Sequence, residues 1–157
     1  MREKLIACQL ALPHTLEGCT EEQIDEIKVK QRVNFLPEIY RQFLLWMGRN
    51  AGDLYLGSDY TCNRLLHLKD EANSDFERFG HTFRFADDVF VFMSHGGYVY
   101  WYFDTKDKND DPSVYMYHES NRVSVKVDEH LSQFFDDSIR ELAPQAFEEY
   151  MKRNLDG

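Results

Sequence analysis

Apolar residues recur along this chain at two periods, and the place where one gives way to the other marks its architecture. At 100° per residue, Trp46, Ile39, Phe43, Met47, Tyr40 and Leu44 fall within an arc of roughly 160°, with Glu38, Arg41 and Gln42 on the opposite side. Pro37 suits the first helical position, where a missing N–H costs nothing, and Gly48 follows the last apolar residue. This predicts a core helix. Before it, Thr20-Glu21-Glu22-Gln23 reads as a capping box opening a helix that turns Ile24 and Ile27 inward, and Val33 to Leu36 connects the two. Up to about Cys19 there is no clear period, and Pro13 predicts an irregular arm or short strand.

Gly48, Asn50 and Gly52 mark a turn, with Asp53-Leu54-Tyr55-Leu56-Gly57 a short strand after it. Leu68, Ala72, Phe76 and Phe79 keep helical spacing within residues 66–79, and Gly80 follows. The period then drops to two. Val89 to Ser94 and Tyr98 to Asp104 read as strands joined across His95-Gly96-Gly97, where glycine supplies positive φ. Ser113 to Glu119 and Ser124 to Val127 continue an antiparallel meander. Asp128 then reads as an N-cap for a helix bearing Leu131, Phe134, Phe135, Ile139 and Leu142. Pro144 ends or kinks it, and Phe147, Tyr150 and Met151 lie on a last helix. Helices, meander, helices is an α+β order, with the N-terminal and C-terminal helices packed mainly on one face of the sheet.

A chain of 157 residues fits one domain, residues 1–157, able to bury roughly 70% of its unfolded surface. A net charge of −10 argues against nucleic acid or an anionic membrane as partner and suits a basic one. Cys8, Cys19 and Cys62 follow no CxxC spacing, so reduced thiols are expected, with neither disulfide framework nor zinc site. Arg2 and Lys4 precede Leu5-Ile6-Ala7-Cys8, but so short an apolar run is no signal-peptide core, and no run is long enough to span a membrane. A cytoplasmic protein is expected.

Little here invites catalysis. Asp104, Asp107, Asp110 and Asp111 lack the glycine and the closing glutamate of a calcium loop, and Lys106 and Lys108 interrupt them, as in a solvated loop. His14, His67, His81, His95, His118 and His130 show no metal-ligand spacing, and turn or surface positions are expected for most. No nucleophile elbow, P-loop or dinucleotide motif is present. The expectation is a non-enzyme that needs no cofactor and no metal. The meander is more informative. Alternation sends Val99, Trp101 and Phe103 to one face and Tyr98, Tyr100 and Tyr102 to the other, a tyrosine ladder suited either to an interface or to burial under a helix.

Four segments in order carry a resemblance. They are the capped helix with Leu36-Pro37-Glu38, Tyr40, Phe43 and Leu44; the Asn50-Ala51-Gly52 turn; Gly97-Tyr98-Val99-Tyr100-Trp101-Tyr102-Phe103-Asp104; and Val114-Tyr115-Met116-Tyr117 with a closing helix containing Phe134-Phe135. Together, over residues 20–142, they resemble the SUKH superfamily, which includes fungal cell-wall assembly regulators and bacterial immunity proteins. The Gly48–Gly52 turn is longer than the common one, and residues 143–157 form a helical extension outside the usual pattern. The resemblance implies non-catalytic binding: an immunity protein that neutralises a polymorphic bacterial toxin or, in the alternative, a regulatory scaffold or ligand-sensing domain. The acidic charge adds a basic nuclease toxin domain as the expected partner. Chemistry alone nominates as contact residues Tyr55, Asp59 and Tyr60, the acids Asp87 and Asp88, and the Tyr98, Tyr100, Tyr102 face.

Overall fold

A computed structural model describes residues 1–155; positions 156 and 157 of the expected C-terminal extension lie outside the described residues. The elements are α1 (Arg2–Ala7), α2 (Glu21–Lys30), α3 (Glu38–Met47), β1 (Ser58–Asp59), α4 (Cys62–Leu65), α5 (Leu68–Arg78), β2 (Val89–His95), β3 (Val99–Asp104), β4 (Val114–His118), β5 (Val123–Asp128), α6 (Leu131–Leu142) and α7 (Pro144–Leu155). The strands form an antiparallel sheet in the order β1-β2-β3-β4-β5, so every neighbour in sequence is a neighbour in space. This is the α+β meander that the change of period predicts.

Both faces of the sheet carry helices, but different ones. On the first face Tyr40 of α3 meets Phe90, Phe92 and Phe103 at ring-centroid distances of 5.2, 5.9 and 5.4 Å, and Phe92 meets Phe134 of α6 at 5.4 Å. On the second, Phe76 of α5 packs edge-on to Tyr100 and Tyr117 at 5.4 and 4.9 Å, while Phe83 stacks on Tyr117 at 4.0 Å. The N- and C-terminal helices thus share one face and the central helix covers the other. On α3 the core contacts are Tyr40, Phe43, Leu44 and Met47; Trp46, at the margin of the apolar arc, stays 45% exposed.

The capping box is present: the Gln23 N–H donates to the Thr20 hydroxyl and the Thr20 N–H to the Gln23 amide oxygen. Other local expectations are corrected. The N-terminal arm begins with a helix, too short to show a period and held by burying Leu5, not by propensity. Residues 53–57 are turn and not strand, because Tyr55 and Gly57 take φ of 62° and 77°, which interrupts extended backbone. Asp128 ends β5, and His130 takes the cap position of α6. There the Asp111 carboxylate stands in, accepting from the Ser132 N–H at 2.8 Å and the Ser132 hydroxyl at 2.6 Å. Asp110 likewise accepts from the Glu38 N–H at 3.1 Å, so two acids of the Asp104–Asp111 run secure helix starts. His81 is a core residue, its side chain 4% exposed and 2.7 Å from the Tyr117 hydroxyl.

The thiol expectation is also corrected. Cys19 and Cys62 form a disulfide, while Cys8 is free and buried. Spacing hid the pair because the approach is tertiary. The Cys19 N–H donates to Leu44 O at 2.8 Å and the Cys62 N–H to Gly48 O at 2.9 Å, so the C-terminal end of α3 brings both cysteines together. A Cβ on Gly48 would collide with the Cys19 sulfur and the Leu44 carbonyl, which explains glycine there better than chain reversal does. Residues 144–155 are no loose tail. Phe147 of α7 is fully buried, with the Lys4 ammonium and the Arg140 guanidinium over its ring at 6.0 and 4.7 Å.

Candidate functional site

The first face of the sheet is only partly roofed. α6 covers Phe92 through Phe134 and α3 covers Phe103 through Tyr40, and beside them a groove of about 850 Å³ lies between α6 and the sheet. Its floor is Met93, Trp101 and Val127 from three strands, with Phe134 and Leu54 at the back. Tyr55 and Leu56 form one lip and Leu142 the other. Asp53, Asp128, Asp137 and Glu141 stand around it. Such a concave apolar floor with a few polar groups has the general form of a binding site.

Each lining group has a local cause. Asp137 and Glu141 are one helical turn apart on α6, so both project from the face beside its buried stripe. Val127 reaches the floor by alternation with Val125, which pairs with Met116 beside Trp101, and Asp128 joins it because the β4–β5 register shifts between Val114 and Tyr115 and sets Asp128 against Val114. Tyr55 keeps its left-handed backbone because three rings hold its own, Tyr60 at 5.7 Å, Phe43 at 6.3 Å and Phe134 at 6.3 Å. Its hydroxyl donates to Ser138 Oγ at 3.2 Å, and burial pushes its pKa well up, so it is a neutral donor at the groove wall.

Electrostatically the groove is one-sided. Burial, then repulsion from Asp137 and Glu141, raises the Asp128 pKa above the ordinary carboxylate value. Asp137 is paired with Arg140. Among the described residues no cation lies within ion-pairing distance of Asp53, Asp128 or Glu141. The site therefore gathers negative charge over an apolar floor and can accept a cationic group carried on an apolar body.

The residues nominated from chemistry do not form one patch. Tyr55 lines the groove. Tyr60 lies behind it, 8% exposed, its hydroxyl accepting from the Ala51 N–H at 3.0 Å. Asp59 pairs with Arg64 at 3.2 Å. Asp87 accepts from Arg32 at 2.8 Å, and Asp88 lies 3.7 Å from Lys106. Tyr100 is 3% exposed under α5, its hydroxyl donating to Gly97 O at 2.7 Å. Tyr102 is half-buried, bonded to Ser124 and stacked on Tyr115 at 5.5 Å, while Tyr98 is exposed near the hairpin.

Trp101, Met93, Val127 and the acids of α6 were not among those nominated. A signal for them exists: Val123, Val125 and Val127 alternate with polar residues, and Asp137 and Glu141 keep helical spacing beside an apolar stripe. What is missing from the sequence is where α6 stops covering the sheet.

The SMI1 / KNR4 family (SUKH-1) model matches residues 18–137, more than half of the chain, including every strand and the first half of α6. Comparison with curated proteins returns no match.

Proposed function

The chain belongs to the SMI1 / KNR4 family (SUKH-1), and on that premise we propose that it is an immunity protein which binds and neutralises a basic toxin domain without catalysis. The observation that carries the reading is the groove: an apolar floor at Met93, Trp101 and Val127 ringed by Asp53, Asp128, Asp137 and Glu141. A basic toxin surface supplies the cations that Asp53, Asp128 and Glu141 lack, and an aromatic floor supplies the kind of anchor on which interface energy concentrates. The net charge of −10 adds long-range attraction, which can raise association rates by about 10–10³-fold at low salt. An inhibitor of this kind needs roughly 800 Å² of complementary surface and no reactive group.

The site of action is the cytoplasm of the producing cell, where glutathione keeps most thiols reduced. The test is co-expression with the basic C-terminal domain of a secreted protein encoded beside this gene. Relief of its lethality, with an association rate that falls as salt rises, is the expected result. Continued lethality without complex formation overturns the proposal.

A further inference from the structure

The two edges of the sheet are treated differently. At the β2 edge, the Gln31 side chain replaces a strand: its amide donates to Val91 O at 2.7 Å and accepts from the Val91 N–H at 2.9 Å. Beside it the buried Lys69 ammonium donates to Val89 O at 2.8 Å and Asp87 O at 2.9 Å, and β1 pairs with the rest. At the other edge β5 pairs with β4, and no strand lies on its outer side among the described residues.

The phase of that outer edge follows from one bond. The Glu119 N–H donates to Tyr98 O at 2.8 Å, which makes Tyr100/Tyr117 and Tyr102/Tyr115 the hydrogen-bonded pairs between β3 and β4. Main-chain groups of Met116 and His118 therefore point to β5, and their partners Val125 and Val123 point back. Ser124 and Lys126 direct their N–H and C=O groups outward. We propose that these groups pair antiparallel with β5 of a second copy of this chain, about a two-fold axis at Val125, joining the two sheets into one.

The strand is self-complementary in one register. Setting Ser124 of each copy against Lys126 of the other gives two hydrogen-bonded pairs, each exchanging both bonds. It also sets Val125 against Val125 and Val123 against Val127, residues that are 42%, 51% and 38% exposed in the single chain. Sliding one way brings Lys126 against Lys126, and like charges directly opposite are destabilising. Sliding the other way brings Lys126 against Arg122, whose φ of 54° takes it out of extended backbone. Lys126, the charge that could guard this edge, projects to the opposite face and pairs with Glu129 at 3.1 Å. The axis is normal to the sheet, so both acidic grooves open on the same side.

Sedimentation velocity on the full chain, from micromolar to near-millimolar concentration, tests this. A concentration-dependent monomer–dimer equilibrium is expected. It should tighten as salt rises, because two copies of charge −10 repel; docking of a basic toxin weakens with salt, so the two readings fail separately. Ser124→Pro removes an outward N–H together with the hydroxyl bonded to Tyr102, and Ser124→Ala removes the hydroxyl alone; the proline variant should abolish the dimer, the alanine variant should keep it, and both should leave the circular dichroism spectrum unchanged. Val125→Lys and Val125→Glu should each be monomeric, and their mixture should dimerise again, since that position faces itself. A wild-type chain that is monomeric throughout, a Ser124→Pro variant that dimerises equally well, or charge variants that fail to dimerise when mixed each overturns the proposal.

Discussion

The two faces of the sheet begin with similar material and end differently. One presents Tyr100, Tyr102 and Tyr117, the other Val99, Trp101 and Phe103. The tyrosine face is closed where α5 and Phe83 lie on it, leaving Tyr100 and Tyr117 in the core. The face that a hydrophobicity argument assigns to the core is closed over Phe103 and open over Trp101. Alternation assigns residues to faces, whereas the length and direction of the covering helices decide which part of each face meets water. The open groove is therefore on the less polar side.

The sharpest way to break this comparison is to truncate one aromatic on each face. Phe76→Ala on the closed side should cost about 3–5 kcal/mol in urea unfolding, because its ring touches Tyr100, Tyr117 and Phe85 and leaves a cavity. Trp101→Ala should cost less than that, because the ring is only partly buried, and should in addition remove the proposed protection against a toxin. Equal losses of stability would refute the distinction. Reducing the Cys19–Cys62 bond, which lies in neither face, should cost about 2–4 kcal/mol for its 43-residue separation and leave binding intact while the chain stays folded.

Smaller effects sharpen the same contrast. Asp128 has a pKa raised by folding, so the native state binds its proton more tightly than the unfolded chain does. The stability tied to that proton is present below the unfolded value near 3.8 and is lost as pH rises through the folded value. Asp128→Asn should therefore raise the melting temperature at pH 7, with the gain fading in acid, and should weaken toxin binding. On the exposed rim of the tyrosine side, Tyr98→Ala should shift stability by no more than about 0.5 kcal/mol.

Much of this fold is legible in the sequence, for identifiable reasons. The α3 arc, the Thr20–Gln23 capping box, the Gly96-Gly97 hairpin and the Pro144 break are encoded within single turns, and all four are present. Features that depend on distant segments are not legible. The Cys19–Cys62 bond needs the end of α3 to bring the two together, and Asp111 caps α6 from across a loop. Tyr55 was visible as an aromatic, but its left-handed backbone and its place on the groove wall come from three rings that converge only in the fold. The groove follows the same rule, since Trp101, Val127 and Glu141 lie on three elements and share no local motif.

The central claim, that the acidic groove on the open face is the toxin-binding surface, is tested most directly by paired charge reversals. Protection on co-expression would be measured for Asp137→Lys/Glu141→Lys and for Asp87→Lys/Asp88→Lys, each confirmed as folded by its melting curve. Both doubles change the net charge equally, so long-range attraction falls alike and only the location differs. The groove double should lose protection and the other should keep most of it. Protection retained by the groove double and lost by the Asp87/Asp88 double would contradict the account.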